Sequence, residues 1–228
     1  MERLGIITGL KSEARCVAGT PVAENSDLRV AAAVSERALE EARALVADGC
    51  TALVSFGIAG GLDPRLKTGA LILANEVIAP DGTRYKTDEG ARKALHKSLE
   101  RDIHIVHAPM VGSNKVIMSP RRKINLHVDT GAAAVDMESH AVALAASEAS
   151  IPFLVIRAIS DNANSRIPRA VLGALAPDGG RRVWRVLLNL LIRPFDLPGL
   201  IRLQRGSAAA HKSLRGVTAS GGAFLGFR

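Results

Sequence analysis

The sequence predicts an α/β layered fold, and three observations carry the prediction. Short runs rich in β-branched residues alternate with stretches of helical periodicity through the first 160 residues. The strand runs are continuously apolar rather than alternating, as expected of strands covered on both faces. The chain has 228 residues, 47% hydrophobic and 23% charged, which suits one domain with a single large core.

Residues 4–8 form the first apolar run and end at Gly9, reading as a strand followed by a loop and a helix. A second run at 28–34 leads into Ser35, a candidate N-cap for a helix over 36–47, in which Ala38, Ala42, Leu45 and Val46 share one face. Residues 52–56 read as a buried strand and 57–61 as a glycine-rich loop. Further strands are expected at 71–78, 103–107 and 152–159, and further helices at 88–99, 120–128 and 138–148. Ligands in layered α/β folds sit beyond strand ends, which directs attention to the polar residues there.

Charge is unevenly placed. Residues 1–180 hold 21 Lys plus Arg and 21 Asp plus Glu, whereas residues 181–228 hold nine basic residues and one acid, Asp196, so the net +8 sits in the tail. A nucleic-acid-binding domain would carry its positive charge on the folded body among stacking aromatics, and aromatics are only 3% here. No stretch joins a basic start, an apolar run and a cleavage site, and no apolar run reaches the ~20 residues a membrane span needs. With only Cys16 and Cys50 to oxidise, a reducing cytoplasm is expected. The six histidines show no metal-ligand spacing, so no metal is assigned, and Cys16 reads as a small core residue.

Carboxylates fall at predicted strand ends: Glu13 after the first strand, Asp136 and Glu138 beside Val135, and Asp161 after the run 156–160. Each alone has a structural explanation. Glu13 can be a solvated residue of a first helical turn, Asp161 a cap, and Glu138 a first-turn acid favoured by the helix dipole.

Together they form a pattern. The order Gly5-Ile6-Ile7 with Glu13, then Phe56-Gly57-Ile58-Ala59-Gly60-Gly61-Leu62, Val135-Asp136-Met137-Glu138-Ser139 and Arg157-Ala158-Ile159-Ser160-Asp161 resembles the nucleoside phosphorylase and nucleosidase superfamily over about residues 3–165. Ala176-Pro177-Asp178-Gly179 and the following Leu/Arg stretch look most like its hopanoid-associated branch, whose members are implicated in removing adenine from adenosylhopane. The resemblance implies a three-layer αβα sandwich with a central mixed sheet, phosphorylase/hydrolase-like, over residues 1–180, and cleavage of the N-glycosidic bond of a purine nucleoside. It implies that Asp161 serves the purine near N7, Glu138 the ribose hydroxyls, Met137 the sugar face and Glu13 the attacking water, with Arg157 holding the acids. Ile58, Ala59, Gly60, Val116, Ile117 and Asp136 are expected to complete the substrate site. By analogy the chain is expected to form a homodimer.

The chemistry agrees with these roles. Breaking the C1′–N9 bond builds positive charge on the ribose and negative charge on the base, so the site needs an acid at the base and negative groups at the sugar. A proton-donating Asp161 calls for burial in the base pocket.

The sequence also departs from the pattern. Phosphorylases of the superfamily hold phosphate with Ser and Arg near the glycine motif, where this chain has Ile58 and Ser55. Hydrolysis is therefore the expected reaction, with water and no cofactor; Lys11 and Arg15 leave phosphorolysis, with phosphate as co-substrate, as the alternative. Val116 stands where related nucleosidases stack an aromatic, and residues 17–34 are shorter and lack the usual Gly-rich turn. The glycines at 57, 60 and 61 do not form G-x-G-x-x-G, which disfavours a dinucleotide site.

Residues 181–228 read as a separate basic, Leu/Arg-rich segment with a mobile Gly-, Ala- and Ser-rich end. Residues 181–203 could lie on an anionic membrane surface, as a lipid-linked nucleoside would favour, or form a final helix against the core. The rival from another class is a non-catalytic purine- or nucleic-acid-binding module in which the acids are idle.

Overall fold

The computed structural model describes residues 3–99, 104–171, 179–180, 188–189, 192–220 and 227. Ten strands form one mixed sheet in the order β6-β5-β8-β9-β3-β10-β4-β7, with β1 and β2 continuing from β3. The strands are β1 (Leu4–Thr8), β2 (Ser26–Val30), β3 (Ala52–Gly61), β4 (Leu71–Leu73), β5 (Glu76–Ile78), β6 (Arg84–Lys86), β7 (Ile105–Val106), β8 (Pro109–Gly112), β9 (Ala134–Asp136) and β10 (Phe153–Asp161). The helices are α1 (Lys11–Val17), α2 (Pro21–Glu24), α3 (Ser35–Ala47), α4 (Glu89–Ser98), α5 (Pro120–Thr130), α6 (Ser139–Ala149) and α7 (Leu197–Ala219).

The continuous apolar strands serve two cores at once. Leu53 and Val155 pack on the side of α3 and α6 with Ala42, Leu45 and Ala146, while Val54, Leu154 and Ile156 pack on the other side with Cys16, Leu95, Leu214 and Val217. This alternation places helices on both faces and produces the three-layer αβα sandwich. A third, smaller cluster lies under α5, where Leu126 meets Leu62, Ile78 and Val135.

Several local expectations change in the folded chain. Residues 57–61 are strand rather than loop, because glycines there let β3 extend between β10 and β9 where a side chain would collide with Arg157 and Glu13. Ser35 opens α3 without capping it; Val34 is the N-cap and the Ser35 hydroxyl donates instead to the Met137 carbonyl at 2.8 Å. The run 71–78 divides into β4 and β5, since Ala74 N–H turns to Val155 and Asn75 N–H to Ala108. Of the strand expected at 103–107, Ile105–Val106 pairs with β4, and Ile103 lies outside the described residues.

The tail departs most. Residues 206–219, expected in a mobile end, belong to α7, which buries Ala210, Leu214, Val217 and Thr218 against the sheet. Thr218 Oγ1 donates to the Cys16 carbonyl at 2.7 Å and Ser213 Oγ to the Gly69 carbonyl at 2.7 Å. Small residues read as mobile by composition are here what close packing requires: a Cβ on Gly206 would collide with the Ser160 carbonyl. Residues 176–178 and 181–187 lie outside the described residues. Among those described, no helix is long and apolar enough to cross a membrane.

The contact at Gly206 ties the last helix to the end of β10. Gly206→Leu is expected to lower stability by about 1–3 kcal/mol, the usual cost of overpacking, and thermal unfolding reads it; an unchanged midpoint would show that α7 is not seated there.

Candidate active site

The site opens where the sheet forks. One edge of β3 pairs with β1 at Ala52–Ser55 and with β9 at Gly60 and Gly61, while the other edge pairs with β10 throughout. Between β1 and β9 the β3 edge is left without a strand. There the Ile58 N–H donates to Glu13 Oε1 at 2.8 Å, and the Leu10 N–H donates to Glu13 Oε2 at 2.7 Å. Glu13 is thus held by two backbone donors at the start of α1, only 2% exposed, rather than solvated on a helical turn.

Beneath it lies Arg157 of β10, fully buried. Its Nη2 reaches Asp136 Oδ2 at 2.6 Å, Ser55 Oγ at 2.6 Å and Glu138 Oε2 at 3.2 Å. Asp136 ends β9 and accepts from the Ser139 N–H and hydroxyl at the start of α6, so the β9–α6 turn is set by this carboxylate. Glycines make the convergence possible. A Cβ on Gly57 would lie 2.7 Å from Glu13 Oε1 and press on Arg157, and one on Gly9 would press on Glu138 and lie 3.4 Å from Glu13 Oε2.

Asp136 and Glu138 therefore share one buried guanidinium, and Glu13 lies within its field. Burial pushes Glu13 above the ordinary carboxyl range, opposed by Arg157 and by the N–H groups of Ile58 and Leu10. Burial pushes Glu138 up to about 8, opposed by Arg157 and reinforced by Asp136 and Glu13. A base raised toward neutrality is better matched to taking a proton from water than an ordinary carboxylate.

Asp161 arrives from the end of β10, past an irregularity in its pairing with β3 between Ile159 and Asp161. Such bulges re-aim side chains at strand ends. Ser160 Oγ donates to Asp161 Oδ1 at 2.8 Å, and the buried Lys123 of α5 bonds Oδ2. A Cβ on Gly60 would be 3.5 Å from Asp161 Oδ2. Glu13 meets β3 at the Ile58 N–H and Asp161 beside Gly60, two residues further along, roughly 7 Å at ~3.3 Å per residue.

Between them lies a cavity of ≈190 Å³. Glu13, Ile58, Ala59, Gly60, Val116, Ile117, Asp136, Met137, Glu138 and Asp161 all line it, and Arg157, the remaining residue singled out by sequence, sits behind the acids without lining it. Lys11 and Arg15 are exposed on α1 and do not line it either. Sequence reasoning missed Leu10, Ala33, Lys115, Val135, Ser160 and Ile167 as lining residues and Lys123 as Asp161's partner. Ala33 could have been suspected from the missing Gly-rich turn: Ala32 and Ala33 take φ of 57° and 55°, the left-handed region that favours glycine and that non-glycine residues enter at a cost. Lys123 gave no signal, since it follows Arg121 and Arg122 in a run that reads as a solvated face.

Residues 19–176 match the family profile described as the Phosphorylase superfamily. The chain belongs to that superfamily. Among characterised members it is similar to the 5′-methylthioadenosine/S-adenosylhomocysteine nucleosidase of Mycobacterium bovis, at 27% identity over 63% of this chain and 73% of that one. It is also similar to the aminodeoxyfutalosine nucleosidase of Helicobacter pylori, at 26% identity over 54% of this chain and 60% of that one. The fold matches the 5′-methylthioadenosine/S-adenosylhomocysteine nucleosidase from Neisseria meningitidis in complex with methylthio-immucillin-A, with a TM-score of 0.70 and 15% identity over 96% of this chain and all of that one. Futalosine hydrolase of Helicobacter pylori gives a TM-score of 0.69 with 18% identity over 95% and 97% of the two chains.

The raised carboxyls carry a pH signature. Between the ordinary Glu range and about 8, the folded chain holds a proton on Glu138 that the unfolded chain has released, so stability falls as pH rises through that window. Thermal unfolding between pH 5 and pH 8.5 is expected to show this decline, with a shallower slope in Glu138→Gln; equal slopes in the two proteins would contradict the assignment.

Proposed function

We propose that the protein hydrolyses the N-glycosidic bond of a purine nucleoside. The arrangement of Glu13 carries this reading: its carboxylate occupies the Ile58 N–H, the donor that the glycine motif offers at the open edge of β3, and lies beside Glu138 and Asp136. A phosphate placed there would lose that donor and face three carboxyl groups. Among the described residues lining the cavity the one cation is Lys115, which is exposed, and Ile58 offers an apolar side chain where phosphate needs donors. Water is the nucleophile that suits such a site, and no metal or organic cofactor is required.

In this reading the purine lies at the Asp161 end, against the aliphatic walls of Val116, Ile117, Val135 and Ile167. The ribose lies over Met137, with Glu138 accepting from and, when protonated, donating to its hydroxyls. As the C1′–N9 bond breaks, its electron pair leaves with the base, Asp161 serves N7, and Glu13 takes a proton from the water that attacks C1′. The names of the similar proteins support hydrolysis of this bond type.

A finer reading makes the nucleoside lipid-linked, with adenosylhopane, and so hopanoid biosynthesis, as the instance the sequence resemblance suggests. Its support is the surface around the start of α7, where Ile192 is 78% and Phe195 95% exposed beside Leu188, Leu197, Ile201 and the basic Arg193, Arg202 and Arg205. Apolar and basic side chains together suit the surface of an anionic bilayer.

Incubation with adenosine and 5′-methylthioadenosine in phosphate-free buffer is expected to release adenine and the free sugar by mass spectrometry. Release only with added phosphate, giving the sugar 1-phosphate, would make the protein a phosphorylase, and no release would favour a binding module. Glu13→Gln and Asp161→Asn are each expected to lower kcat about 10²–10⁴-fold; variants that keep full activity would remove these residues from the chemistry. For the finer reading, replacing Ile192 and Phe195 with Ser is expected to reduce sedimentation with vesicles containing phosphatidylglycerol, and unchanged sedimentation would count against it.

A further inference from the structure

Lys123 is 1% exposed on α5, and its ammonium is fully provided for: Nζ bonds Asp161 Oδ2 and donates to the carbonyls of Asn162 and Ser165 at 3.2 Å each. An ammonium has three donors and no acceptor, so these partners satisfy it. Burying a charge is costly, and apolar residues of similar volume often serve stability as well as a buried ion pair or better. Stability alone therefore gives no reason for a lysine here. Its location does: it touches the carboxylate at the base end of the cavity while not lining the cavity itself.

We propose that Lys123 is a positioning residue for Asp161, fixing its carboxylate and supplying through it the proton that the departing purine takes up. The inference rests on the nucleosidase reading, in which Asp161 serves N7. With Ser160 Oγ on Oδ1 and Lys123 on Oδ2, the carboxylate cannot rotate away from the base. In the step itself the C1′–N9 electron pair moves to the purine, and one proton passes from Lys123 Nζ to the Asp161 carboxylate and from Asp161 to N7. Lys123 is left as the neutral amine, Asp161 as the carboxylate and the purine as the neutral N7–H base. The ammonium is restored from solvent after the base leaves, and the water's own proton goes to Glu13.

Two leaving groups separate this role from a structural one. Adenine needs a proton to depart, whereas p-nitrophenyl β-D-ribofuranoside releases a stable phenolate that does not. Lys123→Met is expected to lower kcat on adenosine about 10²-fold, with KM and the rate on the p-nitrophenyl riboside each changed less than about threefold. Equal loss on both substrates, or no loss on adenosine, overturns the proposal. Because Lys123→Met leaves a buried carboxylate without its cation, the double variant K123M/D161N, which removes both charges, is compared with D161N alone. Equal adenosine rates are expected, since residues acting as one unit are not additive; a further tenfold loss in the double variant would mean that Lys123 acts other than through Asp161, and would also overturn it. Wild-type protein that releases neither adenine nor p-nitrophenol would remove the nucleosidase reading itself, a failure visible before any variant is made.

Discussion

The acidic end of the cavity is arranged around one buried guanidinium. Arg157 stands in the middle of β10 with no exposure, and its charge is what lets Asp136 and Glu138 enter the interior beside Glu13. Without a cation three carboxyl groups in one low-dielectric volume would repel and pay desolvation without return. With one cation the balance is still short of positive charge, and the interior answers by raising Glu13 and Glu138. The same shortage leaves the cavity bordered by two carboxyl groups, Glu13 and Glu138, that hold their protons above the ordinary carboxyl range.

The sheet topology serves that guanidinium. The fork in pairing along β3 frees the edge that Glu13 occupies, and glycines at 9 and 57 remove side chains that would press on Glu138 and Glu13 and, at 57, on Arg157. At the other end of the cavity stands a second, separate ion pair, Lys123 with Asp161. The cavity is thus divided: acidic groups gather at one end, and an ion pair with a buried ammonium stands at the other. The last helix joins the same unit from behind, since Gly206 packs on the carbonyl of Ser160, the residue before Asp161.

Much of the layered fold was legible in the sequence because continuous apolar strands and one-sided helices leave unambiguous periodicities. Less legible were the short strands β6, β8 and β9, whose three or four residues give periodicity little to work on. The glycine stretch after Phe56 read as a loop because glycine favours turns, yet it is strand, since the residues it must admit come from α1 and β10. The small residues of α7 read as mobile for the same reason: composition reports the absence of bulk, not the neighbour that requires it.

The sequence by itself determined the alternation of layers and the acids at strand ends, because these depend on local residue type and order. Tertiary structure alone decided that Arg157, expected to hold the acids, does so without lining the cavity, that Glu13 takes the Ile58 N–H, and that a lysine in a basic run turns inward to Asp161. Charge pairing at a distance in the chain has no sequence period. It follows from which strands become neighbours and from the need of each buried charge to find a partner.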